Sequence, residues 1–292
     1  MENTNNITQT IIDTINSIFE TLFASIDNNL YSVLDQITFV NSDILNDPNF
    51  EKLFGTSTSN GILLIANSLL LGFILYYGFR YLMSHITYHR VDSPFSFIIK
   101  IVLFGICMNF SFFIVEIVLD LTSNISLAIR SLGENLFGKE ICFSELITTI
   151  NTNAAIDTNS LNIFSVDGLI KSTLSISLLS LVFSYSLRYI MIKVFVLLAP
   201  FAFISLSLDS TSWFFKSWIK NLFSLLFIQI IISLVLLILF SLDYSTTNLF
   251  NKFVYVGGIY ALIRANTFVR QFIGGISTDI SQSVKSLTNI KT

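Results

Sequence analysis

Long apolar runs alternate with polar stretches along this chain, and the apolar runs determine its architecture. A helix needs about 20 apolar residues to cross the roughly 30 Å hydrocarbon core of a bilayer. Four runs approach or exceed that length, and a fifth, weaker run must extend to about residue 268 to do so. The pattern predicts an all-α polytopic membrane protein with about five transmembrane helices. The predicted spans are 62–83, 96–119, a third from about 174 past residue 193, 219–241 and 253–268.

The N-terminal region 1–61 is polar and acidic, yet its apolar residues are regularly spaced. Isoleucine, leucine and valine recur every three or four residues from Ile7 to Ile37, which is typical of one face of a helix. We predict an external amphipathic helix over roughly 7–40 that stops before Pro48, which cannot continue a helix. Its apolar face can pack on the rest of the chain or on copies of itself in an oligomer. The lipid surface is less favoured, because the polar face lacks the usual Lys and Arg.

The stretch LLAPFAFISLSLDSTSWFFKSWIK, residues 197–220, does not fit a simple span. The apolar part, 194–208, has 15 residues and reaches only about 22 Å as a helix. Basic residues precede and follow it, so a complete crossing would leave one basic cluster outside. We predict that 194–208 is either a re-entrant hairpin turning near Pro200 or the inner end of a long, proline-bent third helix.

Residues 209–220 form a mixed aromatic and basic stretch. The rings of Trp213 and Trp218 suit burial in lipid or protein, while Lys216 and Lys220 prefer the headgroups. We predict that this stretch lies along the inner interface. Because irregular backbone at membrane depth must be covered by protein or line a cavity, the whole segment is expected to pack inside an assembly.

Composition agrees with a membrane protein, and the placement of charge predicts its orientation. The 292 residues are 53% hydrophobic and 12% charged, where a soluble domain has about 25% charged residues. The mean hydropathy is +0.73. The regions predicted to face one side hold eleven Lys/Arg and three Asp/Glu. Those predicted to face the other side hold five Lys/Arg and fifteen Asp/Glu, with Glu116 counted on neither side because it lies inside a predicted span. The positive-inside rule then predicts that the N-terminus lies outside and the C-terminus lies in the cytoplasm.

Five regions follow from these elements. They are an external acidic region 1–61, transmembrane helices one and two in 62–119, an external loop subdomain 120–171, transmembrane helices three to five in 172–268, and a cytoplasmic tail 269–292. The external loop is long for a connection between helices, and its polar, turn-rich sequence carries no recognisable fold signature.

The chain carries few groups suited to catalysis or metal binding. His85 and His89 would share one face of a helix, but two histidines are half of a metal site and also suit a solvated cytoplasmic loop. Cys107 and Cys142 are too few for a disulfide framework. The sequence contains no nucleotide-binding, zinc-protease or serine-hydrolase motif. We predict that the protein is not an enzyme and uses no cofactor.

Two charged residues inside the predicted spans are candidates for function or assembly. Glu116 lies near the outer end of the second span, where a carboxylate either serves a function or simply reaches water. Arg188 lies about 14 residues into the third span. We expect it to reach the inner headgroups or to pair with an acid on a neighbouring helix.

The block 188–270 resembles the TrbL-type polytopic inner-membrane component of type IV secretion systems, the machines of bacterial conjugation. In that family an apolar run containing Ala-Pro precedes a polar turn, an amphipathic stretch with a Lys-x-Trp pattern, and a long span. The resemblance covers about the last 100 residues by pattern and the remainder by topology only. The matching residues are Ala199, Pro200, Trp213, Lys216 and Trp218, followed by the span 219–241.

The resemblance implies a scaffold and translocation-channel component. Such a protein is expected to form homo-oligomers beside secretion ATPases and other membrane subunits, with membrane lipids around it. Protein-bound single-stranded DNA or proteins would be the cargo and would contact it only in passing. A small-solute or ion transporter, with two intramembrane charges facing one cavity, is the alternative, and an anchor that recruits partners through 264–292 is a third hypothesis. The assembly or channel candidates are Glu116, Arg188, Pro200, Trp213, Lys216 and Trp218.

Overall fold

The computed structural model describes residues 10–11, 13–15, 17–18, 30–55, 61–87, 93–153, 166–242 and 249–273. These residues form helices and turns, with no strand among them, so the prediction of an all-α protein is confirmed. The helices are α1 (30–38), α2 (Pro48–Phe54), α3 (Ile62–Thr87), α4 (Pro94–Asn109), α5 (Ser111–Phe137), α6 (Phe143–Asn153), α7 (Val166–Ser205), α8 (Ser212–Ser241) and α9 (Leu249–Ile273). A short 3-10 helix, Ser42–Leu45, lies between α1 and α2.

Within the described ranges, four helices are long and apolar enough to cross a membrane. They are Ile62–Ile86, Ser111–Phe137, Ile176–Ser205 and Ser212–Ser241. Two shorter apolar helices, α4 and the Phe253–Ala265 part of α9, accompany them. These lengths and compositions are those of a polytopic membrane protein, while the count of five spans stays a prediction.

The predicted second span is built from two helices that meet at Phe110. The side-chain Nδ2 of Asn109 donates to the backbone carbonyl of Gly105 at 2.8 Å. A side chain that competes for a helical carbonyl loosens the backbone ladder. Phe110 then has φ −90° and ψ 6°, and α5 begins at the next residue.

Helix α5 extends well past residue 119, where the predicted span ends. It is 27 residues long and ends at Phe137. Gly138 caps it with a φ of 66°, the left-handed conformation that glycine tolerates. Leu119, Thr122 and Ser126 are buried at steps of three and four residues, so the packed face continues after the hydropathy falls. The region predicted as an external loop, 120–171, therefore begins with helix, because small polar side chains pack against α8 there.

Helix α7 passes through Pro200 and ends only at Ser205. Proline lacks the N–H that would donate to the carbonyl of Val196, but one lost hydrogen bond does not stop a 40-residue helix whose residues Ala199 and Ala202 are fully buried beside it. The hairpin near Pro200 is therefore wrong, and 194–205 is the end of the third helix. Residues 212–220 are also not a separate interfacial segment, because they form the first turns of α8.

Hydroxyl groups determine where α7 turns. Ser205 Oγ donates to the carbonyl of Ala202 at 2.7 Å, and Thr211 Oγ1 donates to the carbonyl of Ser205 at 2.6 Å. These bonds satisfy carbonyls that a helix end leaves without backbone partners. The turn is tied to α4 by an ion pair between Lys100 Nζ and Asp209 Oδ1 at 3.1 Å.

Residues 30–54, which we call the N-terminal strap, lie against the long helices. Their apolar side chains enter the core, where Leu34, Val40 and Leu45 are buried. The backbone N–H of Ser42 donates to Asp120 Oδ1 on α5 at 3.1 Å. The apolar stripe of this part of the N-terminal region is therefore covered by the chain itself. The rest of the helix predicted over 7–40 lies partly outside the described residues.

Two apolar clusters make up most of the core. The first lies where α7, α8 and α9 meet, and Tyr185, Ile232 and Leu262 belong to it. The second lies where α7, the start of α8 and the α4–α5 junction meet, and it contains Ala199 and Trp218. The N-terminal strap contributes residues to both clusters, so it spans the seam between them.

A glycine pair in α9 offers a matched test of this packing. A Cβ added at Gly258 would collide with the side chain of Leu239 on α8, whereas a Cβ at Gly257 meets nothing within 4 Å. We expect Gly258→Ala to destabilise the protein by about 1–3 kcal/mol through overpacking. Gly257→Ala should be neutral or stabilising by about 0.5–1 kcal/mol, because alanine favours helix. Thermal unfolding of both purified variants in detergent checks this, and equal midpoints would contradict it.

Candidate functional site

Arg188 is a charged side chain buried at the seam of the two clusters. On α7, Leu181, Tyr185 and Ile192 are buried at steps of three and four residues, and Arg188 falls on the same face. Its side chain is 0% exposed. Tyr185 belongs to the first cluster and Ile192 to the second, so the arginine lies between them along the helix.

The guanidinium of Arg188 joins α7 to two other parts of the chain. Nε donates to the carbonyl of Leu225 on α8 at 2.7 Å, and Nη2 donates to Gln229 Oε1 at 3.2 Å. Nη1 donates to the carbonyl of Thr38 in the N-terminal strap at 2.8 Å. One side chain thus links α7, α8 and a segment 150 positions earlier in the sequence.

Gln229 completes this link from the opposite helix. Its Oε1 accepts a second hydrogen bond, from the backbone N–H of Val40 at 3.2 Å. Both donors to Oε1 fix the orientation of the amide, which leaves Nε2 without a partner. The Oγ1 of Thr38 is likewise buried and unpartnered. We call the side chains of Arg188, Gln229 and Thr38, with the backbone of Val40, the arginine node.

Two serines extend the polar contacts from the node to α5. Ser233 Oγ donates to the backbone carbonyl of Gln229 at 2.9 Å, and it shares a hydrogen bond of 2.6 Å with Ser126 Oγ. Both serines are buried. The node is therefore joined to the interface between α5 and α8. Together these hydrogen bonds fix α5, α7, α8 and the N-terminal strap relative to one another.

Neither expectation for Arg188 is met. The side chain is enclosed by protein, and no carboxylate in the described ranges lies within ion-pair distance of it. Its acceptors are the neutral carbonyl and amide oxygens of Leu225, Thr38 and Gln229. Glu116 is partly buried on α5 and forms no ion pair with a described residue.

The remaining sequence candidates lie at the corner between α7 and α8. Trp218 is 3% exposed, and its Nε1 donates to the carbonyl of Phe195 on α7 at 2.8 Å. Trp213 is 66% exposed, and Lys216 is exposed as well. Pro200 is a buried member of α7 near this corner. The two tryptophans, which had similar interface roles in the prediction, therefore differ: Trp218 packs in protein and Trp213 faces outward.

No protein-family model, curated protein or solved structure matches this chain.

The chemistry of the node is binding and positioning. It holds no nucleophile or general base, and its donors and acceptors fix backbone groups of the strap. Over the described ranges, no group of three His, Cys, Asp or Glu side chains comes close enough to hold a metal ion. His85 lies against Tyr81, with Nδ1 3.1 Å from its carbonyl, while His89 lies outside the described residues.

The sequence reasoning missed Gln229 and Thr38. Gln229 carried a usable signal, because it is the only amide side chain between Leu222 and Phe240 in a strongly apolar helix. Thr38 carried no such signal in the sequence, because it binds Arg188 through its backbone carbonyl, a group that every residue has. Only the fold brings that carbonyl to Arg188.

Asp35, three residues before Thr38, is a second anchor of the N-terminal strap. Its carboxylate accepts from the backbone N–H of Phe143 at 2.8 Å and of Ser144 at 3.1 Å, which caps the start of α6. Burial raises the pKa of Asp35 above its ordinary value of 3.8, and this outweighs the lowering by the two N–H bonds and by the charge of Arg130. The nearby Cys142 thiol is also buried, which raises its pKa to about 11 and leaves it in the unreactive thiol form at neutral pH.

We expect the stability of the protein to depend on pH through Asp35. A raised pKa means that the folded state binds this proton more tightly than the unfolded state does. The contribution is therefore present below the ordinary pKa of 3.8 and is lost as pH rises through the raised value. Thermal unfolding of the wild type and Asp35→Asn across this window should show the wild type losing stability relative to the variant as pH rises. A constant difference would contradict the expectation.

Proposed function

We propose that this protein is an inner-membrane scaffold or channel component of a type IV secretion (conjugation) apparatus. In this role it helps to translocate protein-bound single-stranded DNA or proteins across the bacterial cytoplasmic membrane. It works as a homo-oligomer beside other membrane subunits and the secretion ATPases. The proposal rests on the resemblance of the block 188–270 to TrbL-type components.

The observation that carries the proposal is the packed corner between α7 and α8. Trp218, a residue of the resemblance, donates a hydrogen bond to the carbonyl of Phe195 and packs at a tilt against Phe203, with ring centroids 5.7 Å apart. Ala199, from the same pattern, is fully buried in the same cluster. These residues share one structural task, which is to hold two long apolar helices together at a polar turn. Trp213 and Lys216, from the same pattern, are exposed, so the support comes from Ala199 and Trp218.

The arginine node favours a scaffold over a transporter. A small-solute or ion transporter would have Glu116 and Arg188 facing a common cavity. Arg188 is instead enclosed and hydrogen-bonded to neutral groups of α8 and the N-terminal strap. A charge fixed in this way stabilises an arrangement of helices, which is what a structural subunit requires.

The proposed orientation can be tested by cysteine labelling on intact cells. In a background without Cys107 and Cys142, we expect a membrane-impermeant maleimide to label single cysteines at Asn28 and Thr152. It should not label cysteines at Ser210 or Thr288, because the proposal has these positions in the cytoplasm. Ser210 is exposed in the turn before α8, so its cysteine should react in inverted vesicles. Labelling of position 210 from outside would reverse the proposed orientation of α7 and α8.

The function itself is tested by deleting the gene in its own host. We expect transfer of DNA or secreted protein to recipient cells or medium to be lost, and to return with the wild-type gene. An affinity-tagged copy should co-purify with itself and with a secretion ATPase. Normal transfer in the deletion strain, with altered uptake of a small solute or ion, would favour the transporter instead.

A further inference from the structure

We propose that the arginine node binds one monovalent anion of about the size of chloride. The anion would be held by the guanidinium of Arg188 and by the neighbouring donors of Gln229 and Thr38, which have no other partner. This inference concerns folding and stability, and it does not depend on the proposed function.

The first argument is the unbalanced charge. Arg188 is fully buried, yet no carboxylate in the described part of the chain pairs with it. Arginine keeps its proton in proteins, so it cannot become neutral as a buried lysine or histidine can. An isolated buried charge is strongly unfavourable unless a counter-charge accompanies it. The three neutral acceptors satisfy hydrogen bonds but supply no net negative charge.

The second argument is the set of donors left over. A guanidinium has five N–H donors, and three of those of Arg188 are used by Leu225, Thr38 and Gln229. Two N–H groups therefore remain. The amide Nε2 of Gln229 and the hydroxyl Oγ1 of Thr38 are also buried without a partner. The polar groups without a partner around this charge are therefore N–H and O–H donors, and an anion accepts hydrogen bonds from such donors.

The two residues that carry the unpartnered donors both contact the guanidinium of Arg188. Gln229 Oε1 is 3.2 Å from Arg188 Nη2, so the unpartnered Nε2 of the same amide is near the guanidinium. Thr38 bonds to the same guanidinium through its carbonyl at 2.8 Å. A water molecule could satisfy some of these donors, but only an anion also balances the charge. We infer that the anion is enclosed as the N-terminal strap closes over α7 and α8.

The test uses the purified full chain in detergent, unfolded by heat at constant ionic strength. Chloride, bromide and gluconate are compared, because gluconate is too large for an enclosed site. Circular dichroism gives the unfolding midpoint. We expect the midpoint to rise with chloride or bromide concentration relative to gluconate, since a ligand that binds only the folded state stabilises it by mass action. Equilibrium dialysis with radioactive chloride should find one bound ion per chain.

Gln229→Glu supplies the missing negative charge and identifies the site. Its carboxylate can accept from Arg188 and from Val40 as the amide does, and its second oxygen replaces the unpartnered donor. We expect this variant to lose the dependence on chloride and to be more stable than the wild type in gluconate. Gln271→Glu, on the exposed surface of α9, is the matched control and should keep the dependence.

Should Gln229→Glu fail to fold, Thr38→Val tests the same site by removing one donor. It should need a higher chloride concentration for half of the effect. Equal wild-type midpoints in chloride, bromide and gluconate, with no bound radioactive chloride, would overturn the proposal and leave water in the node. Retention of the full chloride effect in Gln229→Glu or Thr38→Val would also overturn it, because the anion would then bind elsewhere.

Discussion

Replacing Arg188 with alanine is expected to destabilise the folded chain by about 3–5 kcal/mol, which is the range for truncating a large core side chain to alanine. The substitution leaves a cavity at the seam of the two clusters and takes the side-chain donor from the Thr38 carbonyl. It also removes the link between α7 and Gln229. Unfolding of the purified protein in mixed detergent micelles measures the loss. Limited proteolysis should show earlier cleavage around the N-terminal strap.

Two further variants separate the causes of this loss. Arg188→Lys keeps the charge but cannot present the same fork of donors to three acceptors, so its stability should fall between wild type and alanine. Arg80→Ala removes an exposed arginine on α3 and should change stability by no more than about 0.5 kcal/mol. If Arg188→Ala were as stable as Arg80→Ala, the node would not hold the strap.

The sequence predicted the helices well because their signal is local. A run of about 20 apolar residues can satisfy its backbone in a membrane only as a helix, wherever its neighbours lie. That reasoning identified α3, α7 and α8 and marked Arg188 as a charge that needed an explanation. It could not supply the explanation, because Thr38 and Arg188 are 150 positions apart and are joined through a backbone carbonyl.

The errors have a common physical origin in tertiary packing. Pro200 suggested a turn, since proline interrupts the helical ladder, but the burial of Ala199 and Ala202 beside it keeps α7 helical. The end of the second span was set at 119 by hydropathy, although Thr122 and Ser126 continue the packed face of α5. Hydropathy measures the preference of a residue for lipid, and it does not indicate whether a small polar residue packs between helices.

The N-terminal strap shows a limit of periodicity. An apolar stripe predicts that one face of a helix is covered, but it does not name the cover. The same stripe would serve a helix in an oligomer or one packed on its own chain. Leu34 and Val40 are buried against the long helices, so this segment packs on its own chain. Hydrogen bonds fix it in place: the carboxylate of Asp35 and the carbonyl of Thr38 accept, and the backbone N–H of Val40 donates.

The two tryptophans of the α7–α8 corner should respond very differently to alanine. Trp218→Ala is expected to destabilise the protein by about 3–5 kcal/mol, because it removes a large buried ring. Trp218 contacts Phe203 and Phe215, with ring centroids 5.7 and 5.6 Å away, and its hydrogen bond to Phe195 is lost as well. Trp213→Ala is the matched control, since Trp213 is the same residue type on the same helix but is 66% exposed.

The consequence for function follows from marginal stability. A loss of about 3–5 kcal/mol is a large part of the free energy of unfolding of a typical domain, which is roughly 5–15 kcal/mol. The amount of Trp218→Ala protein in the membrane should therefore fall several-fold. Under the proposed function, transfer of DNA or protein should fall with the amount of protein, while Trp213→Ala should retain both. Trp218→Phe keeps most of the ring packing and loses only the N–H donor, so it should recover most of the abundance. Normal abundance with lost transfer in Trp213→Ala would move the functional surface to the exposed side of the corner, where Trp213 and Lys216 would contact a partner.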